Sequence, residues 1–242
     1  MATERTYRHL VRSERLLAFG VKVQETDLMI HANANLEKQA KELVFKYRGH
    51  IEAYIEQNPA FLDTLAPWPS DGPYPEIIGA MVQAGRWAQV GPMAAVAGAL
   101  AEYVGQGLIG RGNTDEVIVE NGGDIYIKTN TPATIAVFAG QSPLSLRVGL
   151  HFSARDKPFA VCTSSGTVGH SFSHGKADAV CVVAASCALA DAAATAIGNR
   201  IQSSKNIQAA IDWGQKIGKV DGILAIVGDA MGLWGEIEVT PL

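Results

Sequence analysis

Residues 179–198 read AVCVVAASCALADAAATAIG, and this stretch decides the fold. Its opening is apolar and free of charge, which predicts a strand over residues 178–184. Ser186 then stands where an N-cap belongs, and small helix-compatible residues continue from about Cys187 to Gln202. On such a helix Asp191 and Thr195 lie one above the other on the same face. A carboxylate and a hydroxyl so placed offer hard oxygen ligands suited to Mg²⁺, which keeps several waters and commonly shares substrate phosphates. Burying an aspartate in an alanine-walled helix is unfavourable unless a cation or hydrogen-bond donors answer it. Two readings stay open: a metal corner, or a carboxylate tied to backbone N–H groups of a neighbouring loop. A bare cation near the N-terminal part of this helix would oppose the helix dipole, whereas a metal-bound pyrophosphate would not.

Upstream, Phe159–Thr163 reads as another apolar strand, and Thr163-Ser164-Ser165-Gly166-Thr167 follows it directly. Hydroxyls and free backbone N–H groups at a strand end suit phosphate or carboxylate oxygens, so Ser164 to Thr167 form the candidate phosphate loop. His170 and His174 come next. Their spacing in a loop does not make a zinc pair, and either could act as acid or base. Further back, Val117–Glu120 and Ile125–Lys128 flank Asn121-Gly122-Gly123-Asp124. That pattern predicts a hairpin, because glycine accepts the positive φ of tight turns. The same turn could let backbone approach a ligand where side chains would clash.

The rest of the chain places these pieces. Asn35 is read as the N-cap of a long amphipathic helix that stops before Asn58-Pro59, and residues 66–75, with four prolines, read as a loop serving as lid or rigid connector. Helices are expected over 76–87 and 92–104, the second rich in alanine. Gly105, Gly107 and Gly110 come after a helix rather than a strand, so they read as a flexible connection and not as a dinucleotide fingerprint. Extended structure is expected within 6–31, and strands over 134–138, 145–152, 222–227 and 236–240, with a helix near 206–217. Strands cluster in the middle and long helices flank them without βαβ alternation. The expected class is α+β, with mixed or antiparallel sheets, in one domain over 1–242.

Composition narrows the function. Apolar residues make up 48% and charged residues 18%, which excludes a disordered chain. A net charge of -4 argues against a nucleic-acid partner, since phosphate backbones demand clustered Lys and Arg. Arg5, Arg8, Arg12 and Arg15 are interrupted by Glu4 and Glu14 and read as a solvated face. The polar residues 1–14 are unlike a secretory signal, and Ala177–Gly198 carries Asp178 and Asp191, unlike a membrane span. Cys162, Cys181 and Cys187 lack zinc-site spacing and read as buried thiols in a reducing cytoplasm.

Taken in order, Asn121-Gly122-Gly123-Asp124, Ser164-Ser165-Gly166 and Ala190-Asp191 with Thr195 resemble the flavin transferase superfamily named after the thiamine-biosynthesis lipoprotein ApbE. The resemblance spans roughly residues 110 to 200. It implies an ApbE-like fold, FAD or FMN with Mg²⁺ as cofactors, and transfer or hydrolysis at a flavin nucleotide pyrophosphate. It implies Asp191 and Thr195 as metal ligands, with Gly122, Gly123, Asp124, Ser164, Ser165, Gly166 and Thr167 near the nucleotide. The family's His-x-x-Asp-Pro-x-x-Gly segment is missing, and its Lys-Gly-x-x-Val-Asp helix finds no counterpart in a helix without lysine. The expected partner is a nucleotide or another phosphorylated small molecule. The alternatives are a flavin or metabolite carrier without turnover, and a structural homo-oligomer in which Asp191 is only a tether.

Overall fold

The computed structural model describes residues 15–69, 71–167 and 175–242. Two strands open it, β1 (Leu17–Val23) and β2 (Thr26–Ala32), joined by a turn at Gln24 and Glu25 rather than at Thr26-Asp27. The long helix α1 (Glu37–Gln57) follows, and the Asn35 side chain accepts the Glu37 N–H at 3.1 Å. A single turn, α2 (Ala60–Asp63), leads into the proline-rich loop. That loop is a pinned connector: the Trp68 ring packs on Phe61, its Nε1 donates to the Tyr54 hydroxyl, and Arg86 pairs with Asp71.

Helix α3 (Glu76–Ala88), a 3₁₀ turn (Pro92–Ala95) and α4 (Val96–Gly110) come next. Gly105, Gly107 and Gly110 lie inside α4, contrary to the expected connection. Tertiary packing explains the first two. A Cβ on Gly105 would meet the Tyr126 ring at 2.4 Å, and one on Gly107 would meet Leu43 at 2.8 Å. Glycine weakens a helix, but here it lets α4 lie close to its neighbours.

The middle of the chain supplies β3 (Val117–Asn121), β4 (Asp124–Lys128), β5 (Ala133–Ala136), β6 (Val148–Phe152), β7 (Phe159–Ser164) and β8 (Ala179–Ala184). Helix α5 (Cys187–Gly198), α6 (Ile207–Gly214) and the strands β9 (Val220–Val227), β10 (Ala230–Gly235) and β11 (Glu238–Pro241) complete it. Sequence reading missed β10, because Ala-Met-Gly-Leu-Trp-Gly has no β-branched residue.

Eight strands form one sheet in the order β1-β2-β3-β4-β7-β8-β9-β10, and β11-β6-β5 form a second. Every pairing among the described residues is antiparallel, so the expected α+β class holds with the antiparallel option realised. One face of the large sheet is buried beneath α1, α3, α4, α5 and α6, and the small sheet covers the other. The strand β8, buried at every position, is sandwiched between these two cores.

Helix α5 sits against β7, β8, α3 and α4. Its six alanines allow that close approach, and ten of its twelve residues are buried. Asp191 and Thr195 are the two that are not. The helix therefore seals itself into the protein everywhere except along one carboxylate-and-hydroxyl edge.

Candidate functional site

The three segments singled out in sequence converge beside that edge. The β3–β4 hairpin turns through Gly122 and Gly123 with φ of 70° and 110°, values that favour glycine. The turn leaves Asn121 and Asp124 as the last and first residues of the paired strands. Both side chains are buried. Asn121 Nδ2 donates to the Ala97 carbonyl at 3.0 Å, tying the hairpin to the start of α4. The Gly123 carbonyl accepts the Thr163 N–H at 3.2 Å, tying it to the end of β7. Gly123 N donates to Glu120 Oε1 at 2.9 Å, which fixes the turn itself.

Asp124 points into this junction. Burial raises its carboxyl well above the usual range, the neighbouring Asp191 charge raises it further, and Glu120 adds to the effect. The Cys162 thiol and the Thr163 N–H pull in the opposite direction without cancelling it. Beneath it Cys162 Sγ and Cys187 Sγ are 3.5 Å apart, both buried, with burial first among the causes that raise both thiols. The expectation of buried thiols holds for all three cysteines.

Asp191 faces Asp124 from α5. Its Oδ2 accepts the Gly98 N–H at 2.9 Å, and the Ala97 N–H also favours its charged form. Burial outweighs both donors and pushes the carboxyl up to about 7, although part of the side chain stays open to solvent. The tether to backbone N–H groups is thus real, and it belongs to the first turn of α4 rather than to a loop. It engages one carboxylate oxygen through Gly98. Among the described residues neither Asp124 nor Asp191 has an ion-pair partner. Thr195, half-buried, stands one turn beyond Asp191.

Gly98 is essential to this contact. A Cβ there would lie 2.4 Å from the Cys187 carbonyl oxygen and 2.8 Å from Asp191 Cβ. Four residues later on α4, Glu102 reaches the start of α5. Its Oε2 accepts the Cys187 N–H at 2.8 Å, the Ala188 N–H at 3.3 Å and the Ser186 hydroxyl at 3.1 Å. Ser186 is the N-cap expected from sequence, and its Oγ accepts the Leu189 N–H.

Other expected residues are placed less centrally. Ser164 ends β7 and is half-buried at the junction's rim. Ser165 and Thr167 bond each other, and Thr167 Oγ1 donates to Asp178, so this part of the candidate phosphate loop is engaged locally. Gly166 is held by backbone contact, since a Cβ there would meet the Gly175 carbonyl oxygen at 2.0 Å. His170 and His174 lie outside the described residues, as do Arg5, Arg8 and Arg12.

Among the described residues no group of three or more His, Cys, Asp or Glu is placed to hold a metal ion. A cation at Asp191 must therefore draw on hydroxyl, backbone or ligand oxygens, as Mg²⁺ does and Zn²⁺ seldom does. The residues present fit that group: two carboxylates without an ion-pair partner among the described residues, Asp124 buried and Asp191 partly open, and a hydroxyl along the same edge.

The family model described as AbpE bacteria matches residues 8–220. The chain belongs to that family. Its sequence is 40% identical over 221 residues to the UPF0280 protein MJ1526 of Methanocaldococcus jannaschii, across 89% of each chain. It is 36% identical over 216 residues to the UPF0280 protein of Methanocella arvoryzae, across 89% of this chain and 87% of that one. The fold of this AbpE family member is that of flavin transferases. Pseudomonas stutzeri flavinyl transferase ApbE superposes with a TM-score of 0.60 at 13% identity, over 90% of this chain and 94% of that one. Vibrio cholerae flavin transferase ApbE gives 0.56 at 12%, over 90% and 96%.

The resemblance drawn from sequence holds. Helix α4 has no lysine, as expected, and the residues it brings to α5 are Gly98 and Glu102. Neither Gly98 nor Glu102 stands out in sequence, since each meets its partner on α5 only in the folded chain.

Proposed function

We propose that the Asp191–Thr195 edge binds a divalent cation, Mg²⁺ in the first instance, together with a phosphorylated small molecule, FAD or FMN being the first candidates. One observation carries this reading. Asp124, buried, and Asp191, partly open, stand side by side, each without an ion-pair partner among the described residues, on the edge of α5 that the described residues leave uncovered. Two like charges so close are unfavourable unless a proton or a cation intervenes.

In this reading Asp191 contributes the oxygen that Gly98 does not hold, and Thr195 contributes its hydroxyl. Asp124 stays buried behind them, where a bound cation would offset the charge that its burial disfavours. The positive-φ turn at Gly122-Gly123 and the end of β7 at Ser164 provide backbone and hydroxyl groups for the ligand, continuing through Ser165, Gly166 and Thr167. Either His170 or His174 is the proposed acid or base. A bound divalent ion would neutralise charge on the phosphates. Transfer or hydrolysis at a flavin nucleotide pyrophosphate is the corresponding reaction. The setting proposed is cytoplasmic, in one domain over 1–242. Among the described residues no helix is long and apolar enough to cross a membrane.

A second reading, a flavin or metabolite carrier without turnover, is favoured by the absence of lysine from α4. Native mass spectrometry of freshly purified protein tests the shared part of both. The expected spectrum shows a retained nucleotide with a divalent ion. Protein that carries neither, and gains neither on incubation with Mg²⁺ and FAD, would overturn the proposal. Pyrophosphatase or transfer turnover would then separate enzyme from carrier.

A further inference from the structure

Helix α5 owes its close packing to alanine, and alanine gives poor registry. Small side chains let two backbones approach, and apart from Leu189 and Ile197 few large side chains on α5 resist sliding or rotation. Against such a surface a polar anchor adds to hydrophobic contact in fixing the direction of Asp191. Buried polar groups are best attested as devices that set register.

We propose that Glu102 is a positioning residue for the Asp191–Thr195 site, anchoring the first turn of α5 and so fixing where those two side chains stand. This rests on reading that edge as a cation site. The geometry is specific. One oxygen, Oε2, accepts three donors from Ser186, Cys187 and Ala188, at 3.1, 2.8 and 3.3 Å. The other, Oε1, accepts Gln106 Nε2 at 3.1 Å, one turn along the same helix. Glu102 is thus fully engaged and takes no direct part in binding.

The anchor is also the right distance from the site. Asp191 follows Cys187 by one helical turn, so a tilt or rotation at Cys187 is carried to Asp191 with little loss. Asp191 in turn is bonded to Gly98 N, one turn before Glu102. The two contacts form a closed loop across the helix pair, and opening it at Glu102 frees α5 to shift on its alanine face. Partners of this outer kind typically matter about 10- to 100-fold in metal affinity.

The test uses Mn²⁺ as the probe, binding measured by electron paramagnetic resonance on the full chain, with thermal unfolding as a folding control. Wild type, Asp191→Ala, Glu102→Ala, Glu102→Asp and Glu102→Gln are compared. The glutamine keeps an acceptor oxygen at the same reach, whereas the aspartate keeps the charge but falls short of the α5 amides. Glu102→Ala and Glu102→Asp should weaken Mn²⁺ binding by about tenfold or more, and Glu102→Gln should remain near wild type. Should Glu102→Ala fail to fold, the contrast between aspartate and glutamine decides the matter. Glu102→Asp binding like wild type, or Glu102→Gln binding as weakly as Glu102→Asp, overturns the positioning role while leaving the cation site standing if Asp191→Ala still abolishes binding. Wild type that takes up no Mn²⁺ overturns both.

Discussion

Glu102 on α4 and Asp191 on α5 cap each other's helices. Glu102 accepts from Cys187 and Ala188 at the start of α5, and Asp191 accepts from Gly98 at the start of α4. Each helix lends an acid to the positive end of the other's dipole. The two side chains differ in surroundings, which separates their roles. Both oxygens of Glu102 are engaged within the helix pair. Asp191 faces a second carboxylate and an open edge.

Gly98 should tolerate nothing larger. Gly98→Ala places a methyl group 2.8 Å from Asp191 Cβ and 2.4 Å from the Cys187 carbonyl oxygen. The obstacle is backbone, so the helices must separate. We expect a loss of about 1–3 kcal/mol, typical of overpacking, measured by urea denaturation. Unchanged stability would mean that the two helices are not held as close as described.

The chain should lose stability as pH rises toward neutrality. Folded Asp191 keeps its proton up to about 7, while an unfolded aspartate releases it near its ordinary value of 3.8. Between those limits the folded state holds more protons, so raising the pH favours unfolding, by up to about 1.4 kcal/mol per pH unit. Asp191→Asn removes the Asp191 share of this dependence, leaving that of Asp124 and Glu102, and still offers Gly98 an acceptor oxygen. It should be more stable than metal-free wild type at pH 8, and Mg²⁺ should narrow the difference. Identical denaturation profiles from pH 4 to 8 would show that Asp191 is not desolvated in solution.

Ser186→Ala removes a side chain that both caps α5 through Leu189 and donates to Glu102. The expected loss is about 1 kcal/mol, the usual effect of deleting a serine N-cap. A thermal midpoint equal to that of wild type would contradict the cap.

Much of the fold was legible because its signals are local. Gly122-Gly123 between two apolar runs specifies a hairpin by φ alone, and Ser186 before an alanine-rich run specifies where α5 begins. The end of α4 was hidden because Gly105 and Gly107 are dictated by contact with Tyr126 and Leu43, which lie on other elements. The site divides in the same way. Asp191 and Thr195 stood out by helical spacing and by the oddity of an acid among alanines. Gly98 and Glu102 did not, since they meet α5 across 93 and about 85 residues of sequence, and only the folded chain brings them together.

Thr195→Val keeps the shape and the β-branch while deleting the hydroxyl. With the side chain half-buried, stability should change by under about 1 kcal/mol. Metal-dependent ligand binding should fall clearly. Binding that is unaffected would remove Thr195 from the proposed ligand set.

The most direct measurement is calorimetric titration of FAD into wild type and Asp191→Ala, each with and without Mg²⁺. The account predicts that wild type binds FAD far more tightly with Mg²⁺ present, and that Asp191→Ala, folded as judged by circular dichroism, shows no metal-dependent gain. Equal binding by the two proteins, or wild-type binding indifferent to Mg²⁺, would contradict it.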